Sequence, residues 1–286
     1  MMQESFGSTF KRGYQNLPQV IRVILTVNVV VFLIQAIGGN GLNRLLINLF
    51  AFDPQWETAL TQPWRLVTYM FLHGSGFHLL FNMLWLWWMG RPVEQHVGPR
   101  TFTVLYFGAG IGGALLNVGL AAIIGYSQVI GASGAVFGVM VAFAVLFPRT
   151  PIMLFLFPPL EARYVVAGLI LFDLLFIGSS DNIARVVHLG GAGIGYLLIQ
   201  AHMSGTDLSS WVRPVERLWS KPDRRSAGRS RAANRRADMR IVRDVKIMEE
   251  NELDDLDEIL DKISKKGYSA LTAEEKRRLF ELSKRK

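Results

Sequence analysis

No cysteine occurs in the 286 residues, so disulfides and thiolate-held metals are both excluded. Histidine is nearly as scarce: the five present are too scattered to suggest zinc, and neither a metal nor a soluble cofactor is expected. Charge is missing from most of the chain. Met1 to Ser204 hold ten Lys or Arg and seven Asp or Glu, whereas the last 82 residues hold twenty-one and sixteen. A half-hydrophobic chain with its charge gathered at one end is not a single soluble domain around an ordinary core. Its first part instead repeats apolar runs on the scale of a bilayer crossing. Met1 to Pro18 lack an apolar core of their own, and no small-residue cleavage site follows the first run. A cleaved signal peptide is therefore not expected.

Six apolar runs are present, at about 20–38, 77–90, 101–124, 133–147, 164–178 and 186–202. The fourth is short because glycines crowd its start and Pro148 fixes its end. Fifteen residues make roughly 22 Å of helix, against a hydrocarbon core of about 30 Å. With Arg149 at one interface, Ser133 is expected roughly 8 Å below the other. The segment Gly125 to Ala132 is then irregular backbone at membrane depth, which is tolerated only where it lines protein or a water-filled cavity.

Lys11, Arg12, Arg22, Arg91, Arg100, Arg149, Arg163 and the Arg-rich tail fall on one side of this arrangement. Arg44, Arg65 and Arg185 fall on the other. A multi-pass protein of the plasma (inner) membrane is expected; the bias predicts that both its termini are cytoplasmic and puts the long loop from Gly39 to Gly76 outside.

Four clusters could carry chemistry. Ser133 lies in Gly131-Ala132-Ser133-Gly134, where a helix start offers free backbone N–H groups to an oxyanion; small residues there also serve close helix packing. His188 shares a helical face with Gly191 and Gly195, so that face can approach a neighbour bearing Ser133 and Phe137 closely. An ionisable group inside a membrane is a functional candidate, although a neutral histidine bonded to a carbonyl would also satisfy the pattern. No carboxylate lies on the His188 face: Asp181 falls in the preceding connection, and Asp173 belongs to the previous run. A Ser–His dyad is expected, the histidine oriented by packing.

His78 and Asn82, four apart, offer side-chain N–H groups toward an oxyanion, or else line a wet helix face. Trp64 and Arg65, followed by Thr68, Phe71, Leu72 and His73, read as interfacial anchoring of the outer loop.

In this order and on these runs, the clusters resemble the rhomboid family of intramembrane serine proteases. The resemblance rests on Trp64-Arg65, His78 to Asn82, Glu94 to Gly98, the Gly-Ala-Ser-Gly at Ser133, and His188 with Gly191 and Gly195. It covers about residues 20–202. It implies an all-α, six-helix membrane bundle that hydrolyses peptide bonds in or beside the membrane segments of single-pass or polytopic protein substrates. Ser133 would be the nucleophile and His188 the base, with His78, Asn82 and the Ser133 N–H as the oxyanion hole. It further implies that the fifth run and the loop around Gly125 to Gly131 gate substrate; six runs without a seventh and the lack of an Arg-rich, acidic-poor leader favour a bacterial over a mitochondrial origin. Phe137 stands where some members carry tyrosine, so its ring can stack on His188 but cannot donate a hydroxyl bond.

Four segments follow: a cytoplasmic stretch 1–19, the bundle 20–204, a basic linker 205–248 and a helical hairpin 249–286. From Trp211 to Lys246 twelve basic residues meet four acidic ones, which suits a partly disordered linker beside anionic headgroups better than nucleic-acid binding. Glu249 to Asp261 is acidic, lysines and Gly267 close that helix, and Thr272 opens another with a capping box. The hairpin resembles the small appendage behind some bacterial rhomboids; its partner is not specified by the sequence. Two rival functions are a rhomboid-like protein that binds membrane helices without cutting them and a transporter. The first would lack the serine or histidine, and the second would need further midplane charges that the first three runs do not carry.

Overall fold

The computed structural model describes residues 12–153, 158–177, 182–214 and 216, together with 260–265, 267, 272, 274, 276 and 277. The chain divides into two compact units, 1–218 and 219–286. Residues 1–11, Asp181, most of the expected basic linker and most of the expected hairpin lie outside the described residues.

The first unit is helical almost throughout. α1 (Gln19–Ile37) is followed by α2 (Gly39–Phe50), α3 (Trp56–Thr61) and α4 (Arg65–Thr68), which runs into a single 3₁₀ turn at Tyr69–Phe71. The segment expected as a long loop between Gly39 and Gly76 is thus largely helical, a correction with a clear physical basis. The last carbonyls of a helix need partners, and those of α2 find them in the second half of the same segment. Arg65 Nη1 donates to Ala51 O at 2.9 Å and Arg65 Nη2 to Asn48 O. Trp64 Nε1 donates to Leu49 O at 3.1 Å, and Thr68 Oγ1 to Phe50 O at 2.9 Å. Arg65 is buried in this role, so it acts as an internal strut beside the half-exposed indole of Trp64 rather than as a surface anchor.

α5 (Gly76–Trp85) opens on a Ser75 cap and passes through a widened π turn at Leu86–Gly90 into α6 (Arg91–Val97). Buried Glu94 accepts from the Val20 and Ile21 backbone N–H groups, both at 2.9 Å. A carboxylate on the positive end of α1 satisfies its free donors and its dipole together. α7 (Pro99–Ile124) is bounded by Gly98 and Gly125, at φ 82° and 99°. α8 (Ser133–Leu146), α9 (Ala162–Leu175) and α10 (Asn182–Met203) complete the bundle. The strand pairing among the described residues is slight: β1 (Pro151–Ile152) against β2 (Leu160–Glu161), and an isolated bridge between Phe52 and Val129.

α7, α8 and α10 pack against one another most extensively, around a core that includes Met70, Tyr106, Val139 and Met140. The outside is apolar as well, with Leu171, Phe172, Leu174 and Leu175 of α9 exposed. Two described helices, α1 and α7, are each long and apolar enough to cross a bilayer, and α8 is a shorter apolar helix of 14 residues.

In the second unit residues 260–265 are helical. Gly267, at φ 79°, donates its N–H to Ile263 O at 2.9 Å, as a helix-ending glycine does. Lys265 pairs with Asp261 one turn earlier.

Candidate active site

The segment Gly125 to Ala132 is pinned at two points. Phe52 and Val129 exchange backbone hydrogen bonds at 3.0 and 2.8 Å, and Gly131 N donates to Tyr69 O at 3.0 Å. Gly131 sits at φ 122°, a conformation that L side chains rarely adopt. A Cβ there would lie 2.7 Å from His78 Nε2, so the missing side chain lets the imidazole approach the turn. The chain then enters α8 with Ser133 as its first residue. Ser133 thus belongs to the first turn, where the backbone N–H groups have no helical acceptor.

α10 reaches this point by backbone contact. A Cβ on Gly191 would stand 2.7 Å from the Gly134 carbonyl carbon, and one on Gly195 would stand 2.6 Å from Gly138 O. Gly134 and Gly138 face Val187 and Gly191 reciprocally. Small residues on both sides therefore set the separation of the two helices. At that separation His188 Nε2 lies 2.7 Å from Ser133 Oγ. The Phe137 ring stacks on the imidazole, centroids 4.4 Å apart and planes 8° from parallel.

The other ring nitrogen corrects the expectation of a histidine without an acid. His188 Nδ1 lies 2.9 Å from Asp173 Oδ2. With Nδ1 donating to that oxygen, Nε2 is free to accept the Ser133 hydroxyl proton. Asp173 comes from α9, the neighbouring helix, and is 6% exposed. Its other oxygen, Oδ1, faces Arg185 Nη1 at 3.5 Å. Helical spacing along the His188 helix could not find this partner, because the contact is between helices. One signal was available: Asp173 is the sole carboxylate in the six apolar runs, and a lone charge in such a run requires a partner.

His78, Asn82, Ser133 and His188 line one cavity of about 300 Å³, with Phe137 and Met140 in its apolar wall. Asn82 Nδ2 donates to His78 O at 2.9 Å, so at least one of its protons is engaged within its own helix. His73, read from the sequence only as part of the interfacial Trp64-Arg65 cluster, packs its buried ring edge-on against His78 at 5.0 Å, and its backbone N–H donates to Gln35 Oε1 at 3.1 Å. Trp64 and Arg65 are absent from this cavity lining. Among the described residues no cluster suited to a metal is found.

Residues 60–204, just over half of the chain, match the Rhomboid domain family. The chain belongs to the rhomboid family. Rhomboid membership makes it an integral membrane protein of predominantly helical fold. Among similar proteins, the mitochondrial Rhomboid protein 1 of Saccharomyces cerevisiae is 38% identical over 137 residues, 44% of this chain and 38% of that protein. Rhomboid protease GlpG of Serratia proteamaculans is 29% identical over 186 residues, covering 63% of this chain and 61% of the relative. The putative rhomboid protease YdcA of Bacillus subtilis is 33% identical over 138 residues, covering 47% and 65%. The matches thus span less than two thirds of these rhomboid relatives. Residues 245–285 match a family of unknown function.

Proposed function

We propose that this protein is an intramembrane serine endopeptidase that cuts peptide bonds in or beside the membrane-spanning segments of other membrane proteins. The observation that carries the reading is the 2.7 Å contact between Ser133 Oγ and His188 Nε2 at the wall of a cavity. Similarity to proteins named as rhomboid proteases supports it.

In this reading the Ser133 oxygen attacks the scissile carbonyl carbon while His188 Nε2 takes the hydroxyl proton. The carbonyl π electrons move onto oxygen, and the negative charge is met by the Ser133 backbone N–H with His78 and Asn82. The tetrahedral intermediate collapses as His188 returns the proton to the leaving amine. Water repeats the sequence on the acyl-enzyme and regenerates Ser133. Gly131, Gly134, Gly191 and Gly195 hold the geometry, Phe137 supports the imidazole, and Trp64 and Arg65 brace the adjoining helices.

The remaining architecture belongs to the same proposal. Six helices cross the plasma membrane with both termini cytoplasmic, and the bundle occupies 20–204 between segment 1–19 and linker 205–248. A helix hides its carbonyls in internal hydrogen bonds, so substrates with helix-destabilising residues near the cut are favoured.

The test is cleavage of a reporter bearing a membrane helix by the purified protein in detergent. Ser133→Ala and His188→Ala are each expected to lower kcat by about 10⁴-fold or more without shifting the unfolding midpoint. Undiminished cleavage by Ser133→Ala would remove the assignment.

A further inference from the structure

A flat stack does not fix an imidazole. Turning His188 over about its Cβ–Cγ bond would leave it parallel to Phe137 while carrying Nε2 away from Ser133 and presenting carbon in place of Nδ1. Only a contact at the ring edge distinguishes the two orientations, and Asp173 Oδ2 makes one at 2.9 Å. We propose that Asp173 is a positioning residue for the Ser133–His188 pair. Its carboxylate fixes the His188 ring with Nδ1 protonated and compensates the imidazolium that forms when Ser133 gives up its proton. The inference rests on the reading of Ser133 and His188 as nucleophile and base.

Three observations favour this over a merely structural Asp–Arg pair. Arg185 meets Asp173 through one nitrogen at 3.5 Å, whereas His188 stands at 2.9 Å, so the tighter contact goes to the imidazole. Arg185 Nε finds no hydrogen-bond partner among the described residues, unlike the forked arrangement of a guanidinium built to hold a carboxylate. The guanidinium lies 5.7 Å from both the Phe172 and Phe176 rings, where its charge is shared with aromatic faces. A carboxylate in an apolar helix is costly, and its placement against the one nitrogen that must hold a proton is what the reaction uses. No bond to Asp173 forms or breaks, and its proton count does not change: the Ser133 proton goes to Nε2 and returns from there.

The experiment measures labelling of Ser133 by a fluorophosphonate probe in detergent, with Ser133→Ala as the blank, alongside kcat and KM on the reporter and the unfolding midpoint. Asp173→Asn keeps the shape and a hydrogen-bonding group while removing the charge. Labelling and kcat are expected to fall by about 10²- to 10⁴-fold with KM and midpoint little changed. Asp173→Glu is expected to recover part of that loss, and Arg185→Gln to lose less than about tenfold. Asp173→Ser is read in the same way as the second removal of charge if Asp173→Asn does not accumulate folded.

Labelling within about threefold of the parent in Asp173→Asn or Asp173→Ser overturns the proposal. Equal losses in Asp173→Asn and Arg185→Gln with lowered midpoints also overturn it, because they mark a structural pair. Loss of Ser133 labelling in the parent protein overturns the nucleophile reading and this inference with it. Normal labelling of the parent with an indifferent Asp173→Asn overturns the inference alone.

Discussion

α10 makes two seams of opposite kind. Toward α8 the contact is backbone on backbone, Gly191 against Gly134 and Gly195 against Gly138. Toward α9 it includes a contact of polar side chains, His188 and Arg185 sharing Asp173. Glycines allow an approach distance but say nothing of how a ring turns. A buried carboxylate can orient a ring, but only after the helices have been brought to the right separation. The site needs both, and the comparison suggests that damage to the first seam costs stability and catalysis together, whereas damage to the second costs catalysis.

The largest combined loss of stability and rate should come from Gly191→Ala. Its methyl would meet the Gly134 carbonyl carbon at 2.7 Å, and backbone cannot step aside as a side-chain end can. Overpacking of this kind costs about 1–3 kcal/mol or more. The separation forced on α8 and α10 would carry His188 from Ser133, and a misplacement of about 1 Å is worth roughly 10² in rate. Unfolding midpoint and reporter cleavage should therefore fall together. Gly193→Ala is the control two residues away, where a Cβ would meet nothing within 4 Å. Its stability should stay within about 0.5 kcal/mol. Equal losses at the two positions would erase the distinction between the seams.

The two seams also differ in how far the sequence discloses them. The glycine seam follows from spacing, since Gly191 and Gly195 recur on the His188 face and Gly134 and Gly138 recur on α8. The Asp173 contact joins residues fifteen apart on separate helices, and no periodicity along one helix reports which neighbour faces it. The helical path of 39–71 was hidden for a related reason. The α2 carbonyls are satisfied by Trp64, Arg65 and Thr68 from fourteen to eighteen positions away, and sequence-local caps are the signals that end-of-helix reasoning reads.

Phe137 stands on the first seam by its helix and acts on the second through His188, so it sharpens the comparison at intermediate size. Its stack at 4.4 Å is worth about 0.5–1.5 kcal/mol beyond the area it covers. Phe137→Leu should therefore lower kcat by about 2- to 12-fold at most, with a loss of stability no larger than about 0.5–1.5 kcal/mol from the stack itself. Phe137→Tyr keeps the ring and should stay within about threefold of the parent in a steady-state assay. A loss in the tyrosine variant as large as in the leucine variant would mean that the stack is not what the ring contributes.

The smallest effect concerns a side-chain contact of the charged kind that lies in water rather than in the bundle. Arg100 and Glu216 pair at 2.9 Å with both side chains about half exposed. The Arg100 guanidinium, chiefly through its hydrogen bonds, holds the Glu216 carboxyl below its usual value. Whatever this pair contributes is present above that value and is lost as the pH falls through the lowered one. Because the chain has no cysteine, Pro214→Cys provides a single site for a spin label. The label should lose its immobilised component as the pH falls through the lowered Glu216 value. Added salt at neutral pH should reproduce much of that loss. Arg100→Gln should mobilise the label in the same way while leaving reporter cleavage untouched. If it slowed cleavage as Asp173→Asn is expected to, solvent exposure would not be what separates a charged contact that works in catalysis from one that does not.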